Sequence, residues 1–286
     1  MCYHKAFTFP PLDDGILLPI HVGKAISSQE LNMQADNEVN GQPCDNISDK
    51  NESYCELTAL YWAWKNLKLL YPDVKYVGLF HYRRFLDFHK KRFLVSSVVL
   101  PENELKNYRI NPEEIISILE GGKIIVTNEL TFPMSLRLQY CSGYVSEDYR
   151  TLKEIIKTQF HDYYDDFINV MERGNKFIRC NMFIMKYDDF MNYCEWIFAV
   201  LAELEKKVPW HYYSQSQKRL FGAIAERIFR VWLNKNGMKL KFCDLCVYND
   251  EGYNKAEPEL NIIKRIARYI RNNITAMLLN SGKSFD

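Results

Sequence analysis

Short apolar runs alternate with amphipathic helical stretches along most of this chain, and that alternation restricts it to an α/β fold. Leu57, Leu60, Tyr61, Trp64 and Leu67 recur at a period near 3.6 behind a Ser53/Glu56 pair at capping-box spacing, which predicts a helix that ends before Pro72. Tyr76 to Phe80 then reads as a strand, Asn111-Pro112-Glu113-Glu114 as a helix start stopped by Gly121-Gly122, and Lys123 to Val126 as the next strand. Ser146 opens a helix, Gly174 closes the one after it, and Met182 to Met185 is a strand leading into a long amphipathic run from Asp188 to Lys206. A helix over Gln215 to Asn236, capped by Gly237, a strand over Lys239 to Cys243 and a helix from Pro258 to Leu279 complete the pattern. At the other end, Cys2 to Lys5 looks like the last residues of a strand that runs into a turn at Pro10-Pro11, so the first strand is expected to be short or clipped. The expected architecture is one enlarged Rossmann-type domain over residues 1–258, with a mixed, mainly parallel sheet flanked by helices, followed by a separate amphipathic helix over 259–286.

Composition narrows the function classes. At 286 residues, with 47% hydrophobic and 14% aromatic residues, the chain has enough apolar surface for a packed core and is not disordered. The aromatic excess suits stacking on sugar rings, although most of these rings are expected in the core. A formal net charge of +1 lacks the basic excess that binding to a phosphate backbone requires, which argues against nucleic acid as a partner. The eight cysteines are scattered, several within apolar patterns, which fits a reducing cytoplasmic compartment. Cys243-x-x-Cys246 has no second pair and no nearby His, so two packed thiols are favoured over zinc. No stretch approaches the roughly 18–20 apolar residues of a membrane span, and the N-terminus lacks a signal-peptide layout, so the protein is expected to stay inside the cell.

In an open α/β sheet, ligands sit beyond the carboxyl ends of the strands, where loops lead into helix N-termini. Lys5, Asn46 to Asn51, His81 to Arg84 and Asn181 all fall beside such points. His81-Tyr82-Arg83-Arg84 offers two permanently charged, bidentate donors suited to a diphosphate. The same four residues also suit a strand end whose arginines meet surface carboxylates. The loop Asn46-Ile47-Ser48-Asp49-Lys50-Asn51 supplies amide, hydroxyl and ammonium groups for a base, ribose or phosphate, or simply caps the helix behind it. Asn181 can meet a sugar hydroxyl or its own neighbouring backbone. Arg219, Glu226 and Arg227 form a polar seam that either reaches the pocket or is a solvated face. No Asp-x-Asp is present to hold a divalent metal, so no cofactor is expected, with a divalent metal as the alternative, and the arginines are expected to do the metal's work. The Asp13-Asp14 pair is read as a turn. Walker, G-x-G-x-x-G and G-x-S-x-G sequences are also missing, which removes the usual anchors of kinase, dehydrogenase and hydrolase readings.

The last helix carries Ile263, Ile266, Ala267, Ile270, Ile274, Met277 and Leu278 on one stripe, flanked by Lys264, Arg265, Arg268 and Arg271, with no acidic residue between Leu260 and Phe285. Such a helix either lies on an anionic inner-leaflet surface or packs its stripe on the domain.

The segments DNISDKNESYCELTALYWAWKN and YVGLFHYRRF, with PIHVG at Pro19 to Gly23 and NMFIMKYDDFMNYCEWIF from Asn181, resemble the bacterial family known as domain of unknown function 4422, found in capsule and exopolysaccharide clusters. The resemblance implies an inverting glycosyltransferase of GT-A type that uses a UDP-sugar, with UDP-galactofuranose as the implied donor and a lipid-linked oligosaccharide as acceptor, in capsule, exopolysaccharide or O-antigen synthesis. It further implies donor-binding roles for His4 and Lys5 at the first strand end, for Asn46, Ser48, Lys50, Asn51 and Glu56, for His81, Tyr82, Arg83 and Arg84 at the place of the metal motif, and for Asn181. Where the family pattern leads one to expect a His, Tyr144 stands. An inverting transfer needs a carboxylate base. Asp148 is the first choice and Glu226 the second, while Asp148 also suits a plain first-turn carboxylate favoured by the helix dipole. A non-catalytic nucleotide- or sugar-binding subunit of a polysaccharide assembly complex is the alternative reading.

Overall fold

The computed structural model describes residues 1–6, 15–88, 97–100, 108–248 and 262–280. The Pro10-Pro11 turn, the Asp13-Asp14 pair and the Pro258 helix start lie outside the described residues. The strands are β1 Cys2–Tyr3, β2 Ile20–His21, β3 Gln34–Ala35, β4 Glu38–Val39, β5 Gln42–Pro43, β6 Tyr76–Leu79, β7 Arg84–Asp87, β8 Val98–Leu100, β9 Lys123–Thr127, β10 Leu130–Thr131, β11 Lys176–Phe177, β12 Phe183–Lys186 and β13 Lys239–Tyr248. The helices used below are α1 Asn51–Tyr54, α2 Leu57–Leu70, α3 Pro112–Glu120, α4 Leu136–Cys141, α5 Ser146–Gln159, α6 Tyr164–Phe167, α7 Tyr187–Glu205, α8 Gln215–Lys218, α9 Leu220–Lys235 and α10 Ile262–Asn280.

One extended sheet organises the domain. β3, β2 and β1 run parallel, and β1 is joined to the end of β6 by a parallel bridge between Cys2 and His81, with Cys2 N donating to Phe80 O at 2.8 Å and Tyr82 N to Cys2 O at 3.1 Å. The order then continues β6-β12-β9-β13, in which β12 alone runs antiparallel to both of its neighbours. β13 pairs with β9 over its first half and with β7 and β8 over its second. Alternate residues therefore serve opposite faces. Ile124, Val126, Phe183 and Met185 join the larger core beneath α2, α5, α7 and α9, while Ile125, Met182 and Ile184 join Ile115 and Leu119 of α3 on the other face.

Three expectations change. The Ser53/Glu56 capping box is not formed: the helix is broken at Cys55, whose φ is +53°, Ser53 lies buried inside α1, and Glu56 makes no side-chain cap bond. The helix expected over Gln215 to Asn236 is likewise split, at Arg219. β13 runs ten residues, well past Cys243, so Cys243 and Cys246 sit buried within a strand as free thiols, as packed hydrophobes would. Trp62 is fully buried in the core, its Nε1 donating to Glu38 O at 2.8 Å. Among the described residues, no helix is long and apolar enough to cross a membrane.

Candidate active site

The topology brings the carboxyl ends of β1 and β6, the start of the antiparallel β12 and the N-terminal ends of α2 and α9 to one edge of the sheet. β1 is followed by His4 and Lys5, β6 by His81 to Arg84, and β12 is preceded by Asn181, in register through Phe183 opposite Leu79. Glu56 precedes α2, and Arg219 precedes α9. α9 approaches so closely that a Cβ on Gly222 would stand 3.2 Å from the Cys55 side chain, a contact that would force Cys55 to shift. Two helix N-termini thus meet among these cations, an arrangement that favours an anion.

The cations act on one another. The His4 ring packs edge-on to Tyr82 with centroids 5.1 Å apart, and Arg83 lies over the Tyr82 ring at 5.3 Å. Burial pushes the His4 pKa down, and the charges of Arg83, Lys5, Arg219 and His81 push it down further. Burial likewise lowers the pKa of His81, opposed by Glu56 and reinforced by Arg84. Burial thus holds both imidazoles toward the neutral form, and for His4 the surrounding cations add to it.

Beneath the cations lies a hub at Cys180-Asn181. Both residues are left-handed, with φ of +69° and +49°, a conformation that costs a non-glycine residue free energy and concentrates at functional sites. His81 Nε2 lies 2.8 Å from Cys180 O, Cys180 N donates to the Glu226 carboxylate, and Asn181 Nδ2 donates to Glu56 Oε1 at 2.7 Å. Asn181 Oδ1, in a residue only 2% exposed, has no protein partner. The dipeptide thus ties the imidazole and both carboxylates into one cluster. Burial raises the Glu226 pKa and the charge of Glu56 raises it further, while the Cys180 amide opposes both. Arg219, which belonged only to the seam in the sequence, reaches this cluster from the α9 side, its Nε donating to Cys55 Sγ at 3.4 Å. Among the described residues, no group of three His, Cys, Asp or Glu is placed to hold a metal ion.

The loop from Asn46 to Asn51 sits differently. Asn46 forms a local turn, its Nδ2 donating to Cys44 O at 2.7 Å and its Oδ1 accepting from Ser48 N at 3.0 Å. The Ser48 hydroxyl donates to Asp36 and accepts from Ala25 N at 3.0 Å. Lys50 is ion-paired to Glu205 at 2.9 Å, and Asn51 Nδ2 donates to Cys55 O and Thr58 Oγ1 at 2.7 and 3.0 Å. Of these groups, Ser48 braces the turn after β2. Asp36, fully buried, completes the brace by accepting from Gly23 N at 2.8 Å and Lys24 N at 3.1 Å, and sequence reasoning missed it because a lone Asp beyond a two-residue strand carries no pattern. Gly23 has φ of +70°, and a Cβ there would stand 2.7 Å from that of Asn51. Gly23→Ala is expected to destabilise the fold by about 2 kcal/mol or more, read from urea denaturation, and an unchanged midpoint would show that the turn yields easily.

Asp148 is buried in the first turn of α5, where its Oδ1 accepts from Tyr213 Oη at 2.7 Å and burial raises its pKa. The groups that act on it are Tyr213 and Glu147, not the cations of the sheet edge. Arg227 is also engaged inside the fold, with Nε on Gln139 Oε1 at 3.0 Å and its guanidinium over the rings of Tyr140, Tyr144 and Phe177. Tyr144, where a His was expected, stacks on Tyr140 with centroids 5.1 Å apart.

Comparison with solved structures gives a match to the apo structure of the WbbM bifunctional glycosyltransferase, with 30% identity, a TM-score of 0.75 and coverage of 87% of this chain and 45% of that one. The chain thus spans less than half of that protein, and its α/β architecture is GT-A-like. No curated protein sequence matches the chain. Residues 1–237 match a family pattern over most of the chain, and the protein belongs to the family described as a domain of unknown function (DUF4422).

Proposed function

We propose that the protein is an inverting glycosyltransferase that takes a sugar from a nucleotide diphosphate donor and passes it to a lipid-linked glycan at the inner leaflet, in capsule, exopolysaccharide or O-antigen synthesis. The observation that carries this reading is the convergence of His4, Lys5, His81, Arg83 and Arg219 at one sheet edge, closely enough that their charges depress the His4 pKa. Departure of a diphosphate needs positive charge where its negative charge develops, and guanidinium groups held at this edge provide it. The similarity to a bifunctional glycosyltransferase supports the same reading.

Glu226 is the base in this scheme. It is fixed by the Cys180 amide beside the cations, and its raised pKa gives its carboxylate more proton affinity than an exposed one has. It removes the proton of the acceptor hydroxyl as that oxygen attacks the sugar's anomeric carbon and the nucleoside diphosphate leaves from the opposite face, inverting the configuration. Glu56, held by Asn181, belongs to the same cluster and suits a sugar hydroxyl. By resemblance, the donor is UDP-galactofuranose.

The test is a panel of UDP-sugars with a lipid-linked acceptor extract, run with and without EDTA. Turnover with UDP-galactofuranose that persists in EDTA is expected. Tight UDP binding without turnover on any donor would instead identify a non-catalytic binding subunit.

A further inference from the structure

The sequence left open whether the apolar stripe of the last helix packs on the domain or faces away from it, and α10 packs the other way round from a core helix. Ile263 is 73% exposed, Ile270 and Ile274 are 50% exposed each, and Met277 is 66% exposed, while Asn272 and Ala276 are 6% and 4% exposed. At about 100° per residue, Asn272 and Ala276 project opposite the stripe of Ile263, Ile266, Ile270 and Ile274. The polar face is the docked one: Asn272 Nδ2 donates to Thr131 O at 2.7 Å, and Asn175 Nδ2 lies 3.4 Å from Asn273 Oδ1. Thr131 belongs to β10, whose ribbon with β11 leaves the sheet just beyond Thr127, at the carboxyl end of β9. The stripe is thus held outward on a support that springs from the ligand edge.

We infer that α10 is an interfacial anchor that lays this aliphatic stripe into an anionic lipid surface. Three observations select that occupant. The helix is not apolar enough to cross a bilayer, yet it presents a continuous aliphatic face about 19 residues long, the arrangement of a helix lying in the interface. Its charges are all positive: Lys264, Arg265, Arg268 and Arg271, with no acidic residue in the helix. Lys264 and Arg271 both project along one border of the stripe, where lipid phosphates would lie. A second copy of the chain is the wrong partner on the same ground, because pairing two such faces would bring the Lys264 and Arg271 borders of both helices together, with no acidic residue in either helix. The anchor itself stands on the helix; that it would bring the sheet edge to a lipid-linked acceptor rests on the proposed transferase function.

The test is flotation of the 286-residue protein with vesicles of phosphatidylglycerol and phosphatidylethanolamine, beside vesicles of phosphatidylcholine. Binding to the anionic vesicles only is expected, with at least a tenfold loss in the combined variant Ile263→Ser, Ile270→Ser, Ile274→Ser, roughly the effect of removing three buried aliphatic chains. These side chains face solvent, so the variant should fold, and unchanged UDP affinity and circular dichroism check that it does. Failure of wild-type binding, equal binding to phosphatidylcholine, or undiminished binding of the serine variant would overturn the inference, as would a wild-type dimer that the serine variant abolishes. Because UDP binding is read separately, loss of the donor-site reading and loss of the anchor give different results.

Discussion

Glu226→Gln is expected to lower kcat by about 10²–10⁴-fold while leaving UDP affinity within a few-fold of wild type, the range typical for removal of a general base. The glutamine carbonyl oxygen still accepts from the Cys180 amide, so the left-handed turn that also holds His81 and Asn181 keeps its support. What is lost is the capacity to take a proton. The wild-type pH profile should fall on its acid side with an apparent pKa above that of an ordinary glutamate, because burial and the charge of Glu56 both raise the value for Glu226 and the protonated form cannot act as a base. The glutamine variant should lose that limb. Asp148→Asn is the matched control. Asp148 has a raised pKa through burial, so its ionised form is penalised in the fold. Stability from this group is present at low pH and lost as the pH rises from its ordinary value through the raised one. The asparagine variant should therefore be no less stable at neutral pH, with Tyr213 still donating to the amide oxygen, and should keep most of its activity. If Asp148→Asn abolishes transfer and Glu226→Gln does not, the base has been assigned to the wrong carboxylate.

The parts of this site that could be read from the sequence are those fixed by local pattern. An apolar run ending in His81-Tyr82-Arg83-Arg84 must place those groups at a strand end, and the parallel bridge of Cys2 to His81 puts His4 and Lys5 beside them. The parts that could not be read depend on tertiary partners. Ser53 and Glu56 have capping spacing, yet Glu56 gains Asn181, a residue far along the chain, and the helix breaks at Cys55 so that α9 can approach through Gly222. Asn46, Ser48, Lys50 and Asn51 have the chemistry of a binding loop, but Asp36 and Glu205 take up Ser48 and Lys50, while Asn46 and Asn51 bond within their own segment. β13 continues past Cys243 because the buried Asp244, which interrupts the apolar run, is satisfied by the Asn128 amide. The direction of the last helix was also undetermined, since an amphipathic pattern specifies two faces and not which of them docks.

Replacing Arg83 and Arg84 together with alanine should weaken UDP binding by about 10²–10⁴-fold, on the basis of about 1.5–3 kcal/mol for each charge-assisted hydrogen bond to phosphate. The effect belongs to affinity before it belongs to rate, which separates it from the glutamine variant. Titration calorimetry with UDP measures it, and the wild-type affinity should fall as salt is added while the variant's falls less, since the lost groups are the ones being screened. A second readout follows from the electrostatics of the edge. Arg83 stands next after burial among the causes that depress the His4 pKa, so its removal should let that pKa climb back toward the ordinary histidine value, seen as a higher pH midpoint for the His4 ring resonances in an NMR titration. UDP added to the wild-type protein should move His4 in the same direction, because a bound diphosphate offsets the cations that surround it. A folded double variant that binds UDP within about threefold of wild type would remove the arginines from the donor site. The sheet edge would then have to hold its anion through Lys5, Arg219 and the two helix N-termini alone.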